Sequence, residues 1–182
     1  MPQHTSAPVS QCVACIQGKH HIDPFPKHAE DAAELVGDLT VSDIWGPANT
    51  VGPARERYFY SFTNAKSCYS TIYFSHTKDS VIDHFKDYTA LVETQTRNHL
   101  KRLWGDSGSE YVNMAFKAFC AGKGIVMEFT ARYSPVQNGI TKWLNRTLLE
   151  HVRAMIFAKQ VPTLLWPEAV MYACVRYHIS YC

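Results

Sequence analysis

The chain has 182 residues, of which 46% are hydrophobic and 19% are charged, so it can bury the core of one compact domain. Its formal charge of +2 is too small to indicate a nucleic-acid-binding protein or to exclude one. The most apolar stretch, residues 161–175, contains Pro162, Pro167 and Glu168, which excludes a membrane span. We therefore expect no membrane partner, and the polar first residues lack the apolar segment of a signal peptide.

The first 34 residues differ in composition from the remainder. They hold four of the nine histidines and the pair Cys12-x-x-Cys15. We predict a loose remnant of another module at residues 1–34 and one compact domain at residues 35–182. The six cysteines are scattered and no export signal precedes them, so we expect reduced thiols in an intracellular protein.

Strand patterns come next along the chain. β-Branched and aromatic residues predict strands at 36–45, 56–64 and 68–75. Aromatic side chains in the last two segments could stack on bases, but in strands we favour packing in the core. They are Tyr58, Phe59, Tyr60, Tyr69, Tyr73 and Phe74. Apolar residues at helical spacing then predict a helix at residues 79–96.

Strands and helices alternate in the second half. The patterns predict a strand at 99–106, a helix at 113–123, a strand at 125–129, a loop at 134–139, a long helix at 140–159 and a last helix after Pro162. Consecutive strands favour an antiparallel meander, and the alternating ones favour parallel additions. We predict an α/β fold with a mixed five-stranded sheet, three strands antiparallel and two parallel, flanked by helices. This order resembles the ribonuclease H-like fold.

Three stretches carry a more specific resemblance. They are SDIWGP (42–47), LWGDSGSEY (103–111) and YSPVQNGITKWLNRTLLEHVRAMI (133–156). Together they resemble the catalytic core of copia-type LTR retrotransposon integrases, which are retroviral-integrase-like members of the ribonuclease H-like superfamily. CVACIQGK (12–19) is similar to the segment that precedes this core, and LWPEAVMYA (165–173) is similar to the helix that closes it. The resemblance covers nearly the whole chain.

The resemblance implies DNA integration by two-metal polynucleotidyl transfer. In this family two aspartates and a glutamate, the DDE motif, hold Mg²⁺ or Mn²⁺, and the matching aspartates here are Asp43 and Asp106. Two metals can activate the attacking oxygen and stabilise the leaving oxygen of a phosphodiester. Carboxylates are the hard oxygen ligands that magnesium prefers.

The third acidic position departs from the family pattern. In the family, thirty-five residues separate the second aspartate from the glutamate, which is also the third residue after Asn-Gly, and both criteria select Lys142. A protonated lysine has no lone pair with which to ligate a metal. Glu150 lies eight residues further along the helix, about 12 Å at the usual rise, and cannot substitute. We therefore expect this copy to be a catalytically impaired integrase core, or pseudoenzyme.

Candidate DNA-binding residues lie on both sides of this position. The resemblance implies DNA contact by the loop residues Gln137 and Asn138, although Asn138-Gly139 could equally be a plain turn before a helix. Lys142, Arg146 and Arg153 fall on one side of the long helix, opposite its apolar face. Such a basic stripe suits a phosphate backbone, and a solvated charged face is the competing interpretation.

Cys12 and Cys15 form half of a zinc site. A structural site needs four ligands, and His4 is the one histidine among the eleven residues before Cys12. His20, His21 or His28 could complete the set. We do not expect Zn²⁺ to bind with half a site, and two reduced thiols are the alternative.

Three functional hypotheses remain at this point. The chain is an integrase core that joins element ends to target DNA, a catalytically dead core that binds nucleic acid or self-associates, or a fragment without a function of its own. The family resemblance implies DNA as the partner, a homodimer or higher oligomer, and a nuclear location. The sequence stops at Cys182 without the C-terminal integrase region, so we expect a truncated core.

Overall fold

The computed structural model describes residues 33–106, 108–129 and 139–181, with backbone alone for residues 139–141 and 179–181. The five strands are β1 (Thr40–Trp45), β2 (Tyr58–Asn64), β3 (Ser70–Ser75), β4 (Arg102–Gly105) and β5 (Val126–Phe129). The helices are α1 (Val81–Thr96), α2 (Met114–Lys123), α3 (Gly139–Lys159) and α4 (Trp166–Tyr181), and a short 3₁₀ turn at Thr163–Leu165 precedes α4.

The strands form one mixed sheet in the order β3-β2-β1-β4-β5. β1 pairs antiparallel with β2, and β2 pairs antiparallel with β3. β4 lies parallel to β1 on its other side, and β5 lies parallel to β4. The predicted sheet of three antiparallel and two parallel strands is therefore confirmed.

β1 begins four residues later than the sequence pattern predicts, because Gly37 belongs to a close turn. Its φ is +101°, a conformation that side-chain-bearing residues rarely adopt. A Cβ atom there would lie 2.7 Å from the His99 carbonyl oxygen. The Gly37 carbonyl accepts a hydrogen bond from Lys101 N at 2.8 Å, so this turn is anchored beside the start of β4.

The two faces of the sheet carry separate cores. One core joins the sheet to α1 and α2 and includes Phe62, Phe85 and Phe116. The other joins it to α3 and α4 through Phe59, the predicted apolar face of α3 and Trp166. In that face Leu144, Leu148 and Val152 are buried, and Met155 is partly buried. The periodicity of the long helix thus predicted its buried side correctly.

One aromatic residue departs from the expected core packing. Tyr69 is 56% exposed, whereas Phe59 and Tyr60 are fully buried. Tyr69 precedes β3, and its ring stacks on His178 of α4 with centroids 4.4 Å apart. The prediction was wrong at this position because the strand begins after the residue. None of the helices in the described ranges combines the length and the hydrophobicity that a membrane span requires.

Candidate active-site cleft

The two predicted aspartates lie at neighbouring positions of adjacent parallel strands. Asp43 is in β1, and Asp106 immediately follows β4. Thr40 pairs with Leu103 and Val41 with Trp104, so the same register continued along the strands sets Asp43 opposite Asp106. Asp43 and Asp106 each lie two residues after the Val41–Trp104 pair, so their side chains belong to one face of the sheet. The fold therefore brings these two carboxylates together on one side.

Asp43 sits in a partly buried, hydrogen-bonded environment. Its Oδ2 accepts a hydrogen bond from Asn145 Nδ2 at 2.9 Å. Burial raises the pKa of Asp43 and outweighs the lowering effects of the Asn145 amide, the Ile44 backbone N–H and the Lys142 charge. The charge of Asp106 raises this pKa further. The site thus holds a carboxylate whose charge is only partly compensated.

Asn145 is a site residue that the sequence analysis missed. It is 5% exposed, and its Oδ1 has no hydrogen-bond partner among the described residues. The sequence did contain a signal for this residue. Asn145 lies about one helical turn after Lys142, so the two side chains are neighbours on the surface of α3. Its contact with Asp43, however, joins residues far apart in the chain, and helical periodicity does not reveal such a contact.

Lys142 shares an open cleft with Asp43. The cleft has a volume of about 320 Å³ and lies between β1 and one side of α3. Its walls are formed by Asp43, Trp45, Lys142, Asn145, Arg146, Leu149 and Arg153. All three predicted basic residues of α3 therefore face the space that Asp43 faces. Arg146 also pairs with Glu150 at 3.0 Å across an exposed helical turn.

The residues of this cleft do not fit a two-metal site. No group of three or more His, Cys, Asp or Glu residues could hold a metal ion among the side chains described in residues 33–106, 108–129 and 139–181. Lys142 contributes an ammonium where a third carboxylate would be needed, and Glu150 is directed into its pair with Arg146. Glu128 lies 3.6 Å from an Arg102 nitrogen. Glu150 and Glu128 thus have other partners.

Four predicted site residues lie outside the described residues. They are Cys12 and Cys15 of the predicted half zinc site, and Gln137 and Asn138 of the predicted loop at residues 134–139. Their roles stay predictions.

Many solved structures share this fold, and two of them are a viral intasome and a viral integrase core. A simian T-cell lymphotropic virus intasome, in complex with PP2A regulatory subunit B56 gamma, matches with a TM-score of 0.69 and 17% identity, over 93% of this chain and 57% of that one. The HTLV-2 integrase catalytic core domain, in a trimeric form with magnesium, matches with a TM-score of 0.57 and 12% identity, over 78% of this chain and 84% of that one. No protein-family model matches the sequence.

A curated relative is much closer in sequence. The chain is 36% identical over 166 residues, 91% of its length, to the retrovirus-related Pol polyprotein from transposon TNT 1-94 of Nicotiana tabacum. The chain belongs to the copia-type retrotransposon integrase cores. This integrase core spans 12% of the length of the tobacco polyprotein. Asp43, Asp106 and Lys142 belong to the three motifs that carried the resemblance. The fold places all three residues on one face of the sheet.

Proposed function

We propose that this integrase core binds DNA along the Asp43 cleft and that its metal-dependent strand transfer is impaired by Lys142. The observation that carries the proposal is that Lys142 lines the same cleft as Asp43. Asp43 and Asp106 match the two aspartates of the family motif and are the proposed metal-ligand positions. Lys142 stands at the third position and cannot ligate Mg²⁺ or Mn²⁺ while it is protonated.

The charge of the cleft supports the binding part of the proposal. Lys142, Arg146 and Arg153 line the cleft with three cationic groups, and Asp43 is the one acidic residue among its described lining residues. A row of cations beside an open cleft attracts a phosphate backbone, and the binding weakens steeply as salt is added. Gln137 and Asn138, which directly precede α3 in the sequence, are proposed further contacts.

A core that only binds nucleic acid or associates with itself is the second candidate. It is favoured by the absence of three grouped metal-ligating side chains within the described ranges. The HTLV-2 integrase core is described as trimeric, which motivates a test of oligomeric state for this chain as well. Under this candidate DNA binding persists without magnesium and no strand is cut.

The test is a magnesium-dependent nicking and strand-joining assay on the full chain. Lys142→Glu supplies the missing carboxylate, and Lys142→Gln is the matched control because it removes the charge without adding a metal ligand. We expect no metal-dependent turnover from the unaltered chain or from Lys142→Gln, and measurable turnover from Lys142→Glu. Turnover by the unaltered chain would refute the impairment.

A parallel binding measurement separates the two candidates. All three proteins should bind duplex DNA with an affinity that falls on adding salt, and Lys142→Gln should reduce the salt slope by about one ion. If no protein binds DNA, the proposed use of the cleft is wrong. If all bind and none reacts, the second candidate is the better description.

A further inference from the structure

The last turn of α4 meets the start of β3, which is an edge strand of the sheet. Asn64 N donates a hydrogen bond to the Tyr69 carbonyl at 2.9 Å, and hydrogen-bonded pairs alternate with non-bonded pairs along an antiparallel ladder. The next residue, Ser70, therefore belongs to a non-bonded pair. Its backbone N–H points away from β2, to the side where a further strand could pair.

His178 of α4 supplies the partner of this outward N–H. Ser70 N donates a hydrogen bond to His178 Nε2 at 2.9 Å, and Ser70 is 3% exposed. An imidazole nitrogen accepts a hydrogen bond only while it carries no proton, so the neutral ring holds its proton on Nδ1. The hydrogen bond between α4 and the edge of the sheet therefore requires the neutral form of His178.

Two further contacts fix the position of the imidazole ring. The Tyr69 ring stacks on it with centroids 4.4 Å apart and an angle of 18° between the planes. Cys174 lies one helical turn earlier in α4, and its Sγ donates to the Ser70 carbonyl at 3.5 Å and lies 4.0 Å from His178 Nε2. The N–H and the carbonyl of Ser70 thus both bond to side chains of α4.

The described groups around the ring offer a cation no counter-charge. The titratable side chains in contact with His178 are Tyr69 from the turn before β3, and Cys174 and Tyr177 from α4. These side chains are ordinarily uncharged between about pH 5 and pH 7. α3 reaches this corner through Trp143, whose ring contacts Tyr177 and does not titrate. A proton on His178 would therefore be stabilised by solvent alone among these surroundings.

We propose that protonation of His178 releases the last turn of α4 from the edge of the sheet, so that this contact is a pH-sensitive latch. In the protonated ring both nitrogens are donors, and Nε2–H then opposes the Ser70 N–H. Release exposes an edge amide of β3, a group on which another strand can pair. The latch uses none of the described residues that line the Asp43 cleft, so it is independent of the proposed function.

The direction of the pH effect follows from the burial of the ring. Burial lowers the pKa of His178 below its ordinary value of 6.5. The unfolded chain therefore takes up this proton at a higher pH than the folded chain does. The stability that the latch contributes is complete above the ordinary pKa and is lost as the pH falls from there through the lowered value.

Hydrogen exchange of the Ser70 amide, followed by ¹H–¹⁵N NMR on the full chain, measures the latch directly. Between about pH 7.5 and about pH 5 we expect the protection factor of this amide to fall roughly tenfold or more, because its hydrogen bond is lost. The fall should follow the titration of the His178 ring signals. The amide of Tyr60, in a strand paired on both sides, should keep its protection.

Two variants of the same residue separate the proton from the hydrogen bond. His178→Gln keeps an acceptor at similar reach and cannot become a cation, so the Ser70 amide should stay protected at both pH values. His178→Phe keeps a ring for the Tyr69 stack and removes the acceptor, so this amide should be weakly protected at both. His151→Gln changes an exposed histidine of α3 and should behave like the unaltered chain.

Three results would overturn the proposal. The first is equal protection of the Ser70 amide at both pH values in the unaltered chain. The second is the same loss on acidification in His178→Gln, which would show that another group titrates. If His178→Gln does not fold, the ring titration of His178 in the unaltered chain decides. A midpoint at or above 6.5 would contradict the latch, and a lower midpoint that coincides with the loss of Ser70 protection would support it.

Discussion

The two sides of β1 are built from alternate residues of one short strand, yet they meet different requirements. On the α1–α2 side, Thr40 and Ser42 are fully buried, and their hydroxyls bond to Tyr88 Oη at 3.1 Å and Tyr111 Oη at 2.6 Å. On the α3 side, Asp43 is a partly buried carboxylate beside Asn145, whose Oδ1 has no partner in the described residues. On the first side the two hydroxyls are hydrogen-bonded. On the second side the Asp43 charge is only partly compensated and Asn145 Oδ1 accepts no hydrogen bond from the described residues.

This difference separates stability from function within one strand. A side whose buried hydroxyls are all paired stabilises the fold and is sensitive to any loss of a partner. A side that keeps a partly compensated carboxylate gives up stability, which is common at functional sites.

The largest effect is expected in the core of the paired side. Phe62 is fully buried, and its ring lies 5.0 Å from that of Tyr88 and 5.7 Å from that of Phe85. Phe62→Ala should lower the free energy of unfolding by about 3–5 kcal/mol in urea denaturation. Phe157→Ala is the control, because Phe157 is 88% exposed and should change stability by less than about 0.5 kcal/mol.

Loss of one hydroxyl on the paired side should have the next largest effect. Tyr111→Phe leaves the buried Ser42 hydroxyl without its partner and should cost about 1–3 kcal/mol of unfolding free energy. The double variant Ser42→Ala/Tyr111→Phe removes both groups and should recover part of that loss. If the double variant loses more unfolding free energy than the two single variants lose together, the hydrogen bond is not the cause.

Asp43→Asn should have the opposite sign. Because burial raises the pKa of Asp43, the folded chain holds this proton more tightly than the unfolded chain does. The associated stability is present below the ordinary pKa of an aspartate and is lost as the pH rises through the raised value. At pH 7 Asp43→Asn should therefore melt at a higher temperature than the unaltered chain, and the difference should vanish toward pH 3. A lower melting temperature at pH 7 would contradict the assigned cause of the raised pKa.

The smallest effect is expected at the rim of the cleft. The Arg146–Glu150 pair is exposed on both sides and links one turn of α3. Glu150→Gln should change the free energy of unfolding by only a few tenths of a kcal/mol. The same variant should strengthen DNA binding slightly, because it removes a negative charge beside Arg146. A loss of more than about 1 kcal/mol would show that the rim belongs to the structural part of the molecule.

The sequence predicted much of the fold, whereas the roles of the acids stay predictions. Local periodicity predicted the apolar face of α3, and the order of strands and helices predicted the mixed sheet. Motif spacing selected Asp43, Asp106 and Lys142, and the structure places Asp43 and Lys142 in one cleft. These features depend on local pattern or on short motifs, which a single sequence displays.

Features that depend on contacts between distant segments were not predicted. The close approach of Gly37 to the His99 carbonyl delays the start of β1, and the exposure of Tyr69 follows from where β3 begins. The hydrogen bonds from Asn145 to Asp43 and from Ser70 to His178 each join residues from separate elements. Side-chain periodicity carries no information on such pairs.

Metal binding at Asp43 is the most direct test of the central claim that Lys142 prevents this cleft from holding a divalent ion. Mn²⁺ titrations followed by electron paramagnetic resonance would compare the unaltered chain with Lys142→Glu and with the double variant Asp43→Asn/Lys142→Glu. We expect Lys142→Glu to bind Mn²⁺ at least tenfold more tightly than the other two proteins. Equal Mn²⁺ affinity in the unaltered chain and Lys142→Glu, lost when Asp43 is changed, would contradict the account and show that other groups complete the site.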